Sequence, residues 1–398
     1  MRIRLHMALL TGLLFTGSLT TFATDKQPGK GAIFFHKAAA WIDNIVLRGF
    51  DTAYVNLPEY RWRVALTAGE TSVYSDFKSN DTYYFGDVTL RSISRPSAEL
   101  GFNAGYRSIG FGYSWDLLHA YAQNLSFTAG SKMIGLDFAR IRSTGFRTML
   151  EMPRYLDQPE DLGEFGVHLM HTNASLWYAV NWRRYSHNAA IKQSYLQKRT
   201  AGSPIVTVSY SATNIAFNDS LNLLPQLTYN IQNLVTHQAA VGAGYGINYT
   251  PNQGKVLLHA AAVAKLAFYS INYVSFSGMD SISDFATPTF EIRPKTPFHF
   301  SGYLRAALSW EINRWVHLTA WAMAENVRFS AAADKADVHF SNWYWSAHID
   351  FGVRFGAGMR RTKEVLKPTV FDLPPAPNTT PSGTTFPAWI TDYFYTPQ

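Results

Sequence analysis

The chain of 398 residues contains no cysteine. Disulfides, thiolate metal sites and cysteine nucleophiles are thereby excluded. Charge is scarce too: Asp, Glu, Lys and Arg make up 16% of the residues, against roughly 25% in an ordinary soluble protein. Beyond residue 23 no run of about 18 apolar residues occurs, so no membrane-spanning helix is available. No repeat recurs at a fixed period. The 12 histidines show no HExxH or other metal-ligand spacing, and His168 and His171 are three apart, wrong for one strand face. Gly-x-Gly runs such as "GAGYG" lie inside alternating segments and read as close-packing or bending glycines rather than phosphate loops. No metal and no cofactor is expected. A large chain without disulfides needs another source of cohesion, and backbone ladders closed into a barrel would supply it.

What is present begins with "MRIRLHMALLTGLLFTGSLTTFA". Two arginines precede an apolar run with a small-residue exit, which reads as a signal peptide over residues 1–23, cleaved before Thr24. Losing Arg2 and Arg4 lowers the net charge from +7 to +5. That mild excess suits anionic lipid head groups and does not argue for nucleic acid. Residues 24–57 read as an N-terminal periplasmic segment, with a short helix expected over Phe34–Phe50. Residues 58–358 carry the main pattern. A tail over 359–398 holds seven of the 18 prolines and reads as extended, since proline cannot join a ladder.

The main pattern is alternation. In "WYWSAHIDFGVRF" Trp343, Trp345, Ala347, Ile349, Phe351, Val353 and Phe355 share one face, while Ser346, His348, Asp350 and Arg354 share the other. "KVLLHAAAVAKLAFY" sets Val256, Leu258, Ala260, Ala262, Ala264, Leu266 and Phe268 against His259 and Lys265. "RWRVALT", "AELGFNAGYR", "IGFGYSWDL", "KMIGLDFARI" and "QAAVGAGYGINY" behave alike. Successive strand side chains point to opposite faces, so each segment has a dry side and a wet side. Strands of soluble proteins run about 5–6 residues, whereas crossing a bilayer with a tilt needs about 9–11. The alternating segments last roughly nine to fifteen positions. Their opposite faces carry Glu99, Arg107, Asp116, Asp137, Lys265, Arg305, Glu311, His348, Asp350 and Arg354, which suit a polar lumen and not a dry core. An unpaired peptide group in hydrocarbon costs several kcal/mol, and only a closed sheet has no edge. The pattern therefore predicts an all-β fold: an antiparallel transmembrane β-barrel of about twelve strands. Tyr106, Trp115, Tyr249, Trp310, Trp343 and Phe355 fall near segment ends, as an interfacial girdle requires. The alternative is a soluble periplasmic barrel or sandwich with a ligand cavity. Asn313-Arg314 is a candidate tight turn. Two stretches break the alternation: Arg147–Phe165, expected as a loop, and Ile271–Phe298, expected as a long outer loop with room for a hairpin of its own.

At "NWRRYSHNAAIKQSYLQKRTAGSPIVTVSYS" (Asn181–Ser211) the sequence resembles a family of Bacteroidota proteins known as domain of unknown function 4421. The matching features are Asn181, Arg184-Tyr185-Ser186, Ala189-Ala190, Gln193, Gln197-Lys198-Arg199 and Gly202-Ser203. "GFDTAYV" (Gly49–Val55) and "GYRSIGFGYSWDL" (Gly105–Leu117) agree as well. The resemblance implies a barrel in the outer membrane of a Gram-negative bacterium and supplies no activity. Such a barrel would contact outer-membrane lipid and lipopolysaccharide, and would be placed there by barrel-insertion machinery. The chain departs from many outer-membrane barrels in continuing for some forty residues after its last expected strand.

The same segment is the leading candidate site. "NAAIKQSYLQ" can form a short helix, and Lys192, Lys198 and Arg199 make it basic. One reading is an inward plug, with Arg184, Ser186, Gln193, Gln197, Lys198 and Arg199 facing lumen groups Asp116, Asp137, Asp350 and Arg354. The other is a structural loop with solvated charges, since lumen ion pairs often only fill space. A hydrolase would need a serine bonded to a histidine. Ser186 and His187 are adjacent and point apart, whereas Ser346, His348 and Asp350 share a face at wide spacing. The sequence therefore favours a passive narrow pore or a structural or docking component, not an enzyme. The alternative is an enzyme acting on envelope lipids.

Overall fold

The computed structural model describes residues 51–58, 60–81, 86–118, 122–131, 133–217, 231–251, 254–276, 289–292, 294, 298–333 and 336–356. The signal peptide, the helix expected over Phe34–Phe50 and the Pro-rich tail lie outside them. Among the described residues the strands in chain order are β1 (Val55–Asn56), β2 (Trp62–Asp81), β3 (Gly86–Ser94), β4 (Glu99–Tyr106), β5 (Ile109–Asp116) and β6 (Ala122–Gly130). Then follow β7 (Ile134–Ser143), β8 (Phe146–Glu151), β9 (Glu160–Phe165), β10 (Val167–Ala179), β11 (Leu196–Gln197) and β12 (Ala201–Phe217). The last six are β13 (Ile231–Tyr249), β14 (Val256–Phe276), β15 (Thr289–Ile292), β16 (His299–Glu311), β17 (Val316–Ala333) and β18 (Ala336–Phe355).

Twelve of these strands form a ring in the order β2, β4, β5, β6, β7, β10, β12, β13, β14, β16, β17, β18. Every pairing is antiparallel, and β18 returns to β2 along its whole length, from Ala336↔Asp81 to Phe355↔Trp62. That closing ladder leaves the ring without an edge, so its backbone groups are paired internally. One end of the ring, here the near end, is where β2 starts and β18 stops. Its connections are short, such as 107–108, 131–133, 250–255 and 312–315, apart from the long connection 180–200.

The walls differ in height. β4, β5 and β6 have eight or nine residues, whereas β2, β14 and β18 have 20 or 21. Above the short wall the far half of β2 pairs with β3, β3 with β8, and β8 with β9. The stretch Arg147–Phe165, expected as a loop, therefore contributes most of β8 and all of β9. Its strands are only six residues long, too short for their period to stand out. In Ile271–Phe298, the first residues prolong β14 and Thr289–Ile292 pairs back on it as β15. Residues 277–288 lie outside the description. The Asn313-Arg314 turn is wider than two residues. It spans 312–315, with Asn313 Oδ1 accepting the N–H of Trp315 (2.8 Å) and of Val316 (2.9 Å).

Side-chain polarity divides the barrel into two tiers. Near-end positions follow the sequence pattern: Leu66, Val208, Val241, Leu258, Ile349, Phe351 and Val353 point outward and are exposed, while Thr67, Thr207, His259, His348 and Asp350 are buried inside. Toward the far end the pattern inverts along the same strand. On β18, Val338 and Phe340 point inward and are buried, while His339 and Ser341 point outward. Phe340 stacks on Phe329 (ring centroids 4.6 Å) and meets the edge of Phe77 (4.7 Å). Val73, Val88, Leu90, Phe146, Leu150, Val167, Leu169, Ile215, Leu234 and Val274 join them in one core drawn from the taller ring strands together with β3 and β8. Outside that core lie surface ion pairs, Arg91–Glu151 (2.6 Å), Arg95–Glu164 and Arg147–Asp161. Hydrocarbon would not tolerate these charges. The apolar outer band on β18 runs from Trp345 to Phe355. At about 3.3 Å per residue and a tilt near 40° that makes a band of about 25 Å, the height of an outer-membrane barrel's lipid belt.

The band and the far tier should answer differently to one added charge. Ile349→Arg is expected to destabilise the barrel in vesicles by about 2–4 kcal/mol. Ser341→Arg, on the same face but above the band, is expected to stay within about 0.5 kcal/mol of the parent. Urea unfolding of the two variants checks this.

Candidate functional site: a plug in a polar lumen

The connection 180–200 turns back into the ring. Asn181 anchors its start: its N–H donates to Ser203 Oγ (2.9 Å) and its side-chain amide donates to the Gly202 carbonyl (2.9 Å). The run Ser186–Ile191 is buried, as are Gln193, Ser194, Tyr195 and Gln197. The expected helix does not form. Lys192 N–H bonds back to Asn188 O (3.1 Å), but Gln193 then takes a left-handed backbone, φ +49°, which reverses the chain. For a residue other than glycine that conformation costs roughly 1–2 kcal/mol, and the bonds of the Gln193 side chain hold it. Gln193 Nε2 donates to Ser309 Oγ and to Thr319 Oγ1 (3.1 Å), and its Oε1 accepts from Arg354.

The far side of the plug is fastened similarly. Asn248 Nδ2 donates to Ser186 O (2.8 Å) and Gln197 Oε1 (3.1 Å), and His259 Nδ1 pairs with Asn248 Oδ1 (2.8 Å). Gln197 Nε2 donates to Arg184 O (2.6 Å) and Arg199 O (2.9 Å). β11 pairs with β1, so residues 51–58 clamp the outer lip of the plug. His187 packs against Trp177 and His259, with Tyr185 OH 3.1 Å from its Nδ1 and Arg305 Nη1 3.4 Å from its Nε2. Gly246 makes room for this: a Cβ there would overlap the Tyr185 hydroxyl.

The cations of the segment do not meet the carboxylates as expected. Arg184, Lys198 and Arg199 stay exposed at the lip. Arg184 and Arg199 lie over the Tyr54 ring (5.1 and 5.7 Å), and Lys198 Nζ donates to Thr52 O (3.4 Å). The plug enters through neutral amides instead, because an amide is cheaper to bury than an unpaired charge. Lys192 is the exception, and it turns inward. Burial pulls its ammonium down to about 8, with Arg63 adding to the shift and Asp137 and Asp350 opposing it. Asp137 lies 3.5 Å from Arg305, and Asp350 accepts from Trp321 Nε1 (3.2 Å) and Asn103 (3.4 Å). Asp116 sits at the far end of β5 opposite Glu99, its Oδ1 accepting the Leu118 N–H (3.1 Å). Arg354 is buried and donates to Glu311 (2.7 Å) as well as to Gln193.

Sequence reasoning missed Asn248, His259, Ser309 and Thr319 as plug receptors. All four lie on the polar side of an alternating segment, but nothing in the spacing says which lumen residues touch the plug. It also missed a buried triad farther along the lumen, in which Lys265 Nζ meets Glu325 (2.7 Å) and Asn173 donates to both oxygens of that carboxylate (2.8 and 2.9 Å). Ser346, His348 and Asp350 do share the inner face, but they do not form a relay. The His348 ring stacks on Trp321 (4.5 Å), and its Nδ1 has no partner. The Ser186 hydroxyl is likewise buried without a partner. Among the described residues no cluster of three or more metal-ligating side chains occurs.

Comparison with solved structures returns barrels. The chain is similar to the outer membrane protease OmpT from Escherichia coli, at 7% identity and TM-score 0.37, over 75% of this chain and 98% of that one. It is similar to the translocator domain of autotransporter NalP from Neisseria meningitidis, at 12% identity and TM-score 0.28, over 82% and 96%. It is also similar to the outer membrane protein OprG from Pseudomonas aeruginosa, at 10% identity and TM-score 0.26, over 76% and 100%. The expectation that the chain is not an enzyme is corrected here: an outer membrane protease stands among the structures it is similar to. At such identities and TM-scores the likeness assigns no activity. No curated protein matches the chain.

Substituting Gly246 by valine should expel the plug while sparing the ring. Trypsin is then expected to cut after Lys192 in folded Gly246→Val and not in the parent, as read by mass spectrometry of the fragments. The closed ring, its apolar belt and its polar interior are those of an outer-membrane β-barrel, and a family model matches residues 50–355: the chain belongs to the family described as Domain of unknown function (DUF4421).

Proposed function

We propose that this outer-membrane barrel is a sealed structural or docking component rather than an open pore, with its near end in the periplasm. The observation that carries the reading is that the lumen is occupied at two levels. Near the periplasmic mouth the plug fills it, fastened by Gln193, Gln197 and Asn248. At the far end Phe77, Phe329 and Phe340 belong to one buried apolar core shared by eight ring strands and by β3 and β8. A hydrated path needs polar groups and room for water along its whole length, and the core side chains clustered at this level are apolar apart from the Tyr344 hydroxyl. The short near-end connections support the orientation, because periplasmic turns are short in such barrels and outer loops long.

A filled barrel is rigid, and its surfaces are what remain for contact. The far tier carries mixed, ion-paired charge above the lipid belt. The near face carries exposed Arg183, Arg184, Lys198, Arg199 and Arg314. These two surfaces would meet partners on opposite sides of the membrane, with lipid and lipopolysaccharide around the belt.

Planar bilayers test the sealing. The parent protein is expected to give no discrete channel openings. Deleting residues 188–197 is expected to leave it silent, because the apolar tier still closes the far end. Steady single-channel currents from the parent, or from the deletion alone, would overturn the reading.

A further inference from the structure

Most charges inside the ring are matched: Lys265 with Glu325, Arg305 with Asp137 and Arg354 with Glu311. The near mouth is different. A narrow cleft opens there, lined in part by Arg61, Arg63, Arg107, Lys192, Gln193 and Arg354. No carboxylate is among its described lining residues. Several of these cations are already engaged. Arg107 donates to Pro58 O (3.2 Å), Arg354 holds Glu311 and Gln193, and Arg61 has contacts of its own. Even so, Arg354 Nε is buried without a partner. The Arg63 guanidinium and the Lys192 ammonium are partly buried; Asp350 attracts both and Asp137 attracts Lys192, but neither cation has a carboxylate within ion-pair distance among the described residues. Gly105 leaves room for Arg63, whose Nη2 lies 3.1 Å from where a Cβ on Gly105 would sit.

Like charges brought together out of bulk water repel, and each loses hydration. A bound anion would remove both penalties at once, and arginine's fork suits planar oxygen groups. The innermost space admits about one water-sized sphere, enough for one oxygen of a larger group. A lipid on the outer wall cannot supply it, since Arg63 and Lys192 lie on the lumen side of the sheet. We propose that the near-mouth cleft is an anion site, which takes the carboxylate or phosphate end group of a water-borne ligand arriving from the periplasmic side. Arg63 and Lys192 grip the group, and Gln193 and Arg354 form the floor. The site does not depend on whether the lumen is sealed.

The test uses the full chain folded in detergent micelles at low chloride, with inorganic phosphate and acetate titrated separately by calorimetry. At least one of the two is expected to bind saturably, and which one separates a phosphate end group from a carboxylate. Arg63→Gln and Lys192→Met should each weaken binding by about tenfold or more, whereas Arg147→Gln in the far tier should not. If either variant misfolds, the parent alone still decides, because its unfolding midpoint must rise with ligand concentration beyond a sodium chloride control of equal ionic strength. Absence of saturable heat together with an unmoved midpoint would overturn the proposal. So would equal affinity in the folded variants, or a midpoint that follows ionic strength alone.

Discussion

A peptide group surrounded by hydrocarbon can bond only to another peptide group. Much of this molecule follows from meeting that requirement. The 20-residue ladder between β18 and β2 turns a sheet with two open edges into a ring with none. Once the ring is closed, one face of every strand must meet lipid and the other must be enclosed. Leu66, Leu258 and Ile349 on the outside, and Thr67, His259 and Asp350 on the inside, are consequences of that division. Without closure each strand would carry unpaired N–H and C=O groups into the bilayer.

The inversion above the belt obeys the same rule in a different solvent. Where the strands leave the membrane, water wets the outer face. Polar residues therefore move out and apolar residues move in, and the barrel acquires the core of a soluble protein. Tall strands such as β2, β14 and β18 cross both regimes without a break, and β3, β8 and β9 extend the wall where β4, β5 and β6 end. Two fillings result. An oily one occupies the far end, and an amide-rich one occupies the near end. Between them lie fixed charges such as Lys265 and Glu325, which are affordable only because each is paired and hydrogen-bonded.

The sequence made the belt legible because lipid demands long, uniform alternation. The faces of "WYWSAHIDFGVRF" and "KVLLHAAAVAKLAFY" could be assigned residue by residue, and the alternating segments pointed to about twelve strands. The far tier was hidden for an opposite reason. On β8, buried Phe146, Thr148 and Leu150 alternate with Arg147, Met149 and Glu151, but six residues with charged outer positions look like a polar loop. The plug was visible as a place where alternation fails, yet its contacts were not. Nothing local distinguishes Lys192, which turns inward, from Lys198 and Arg199, which stay at the lip. That difference is set by the left-handed bend at Gln193 and by the pairing of β11 with β1, one a backbone state and the other a long-range contact.

The central claim is that one strand face changes solvent partway along its length. Because the chain has no cysteine, a single cysteine bearing a spin label can be placed at each position of β18 in turn. Accessibility to dissolved oxygen and to a water-soluble nickel complex would then be measured in vesicles. The account predicts labels at Ile349, Phe351 and Val353 reached by oxygen, labels at His339 and Ser341 reached by nickel, and labels at Val338 and Phe340 reached by neither. Nickel access at Phe351, or oxygen access at Phe340, would contradict it.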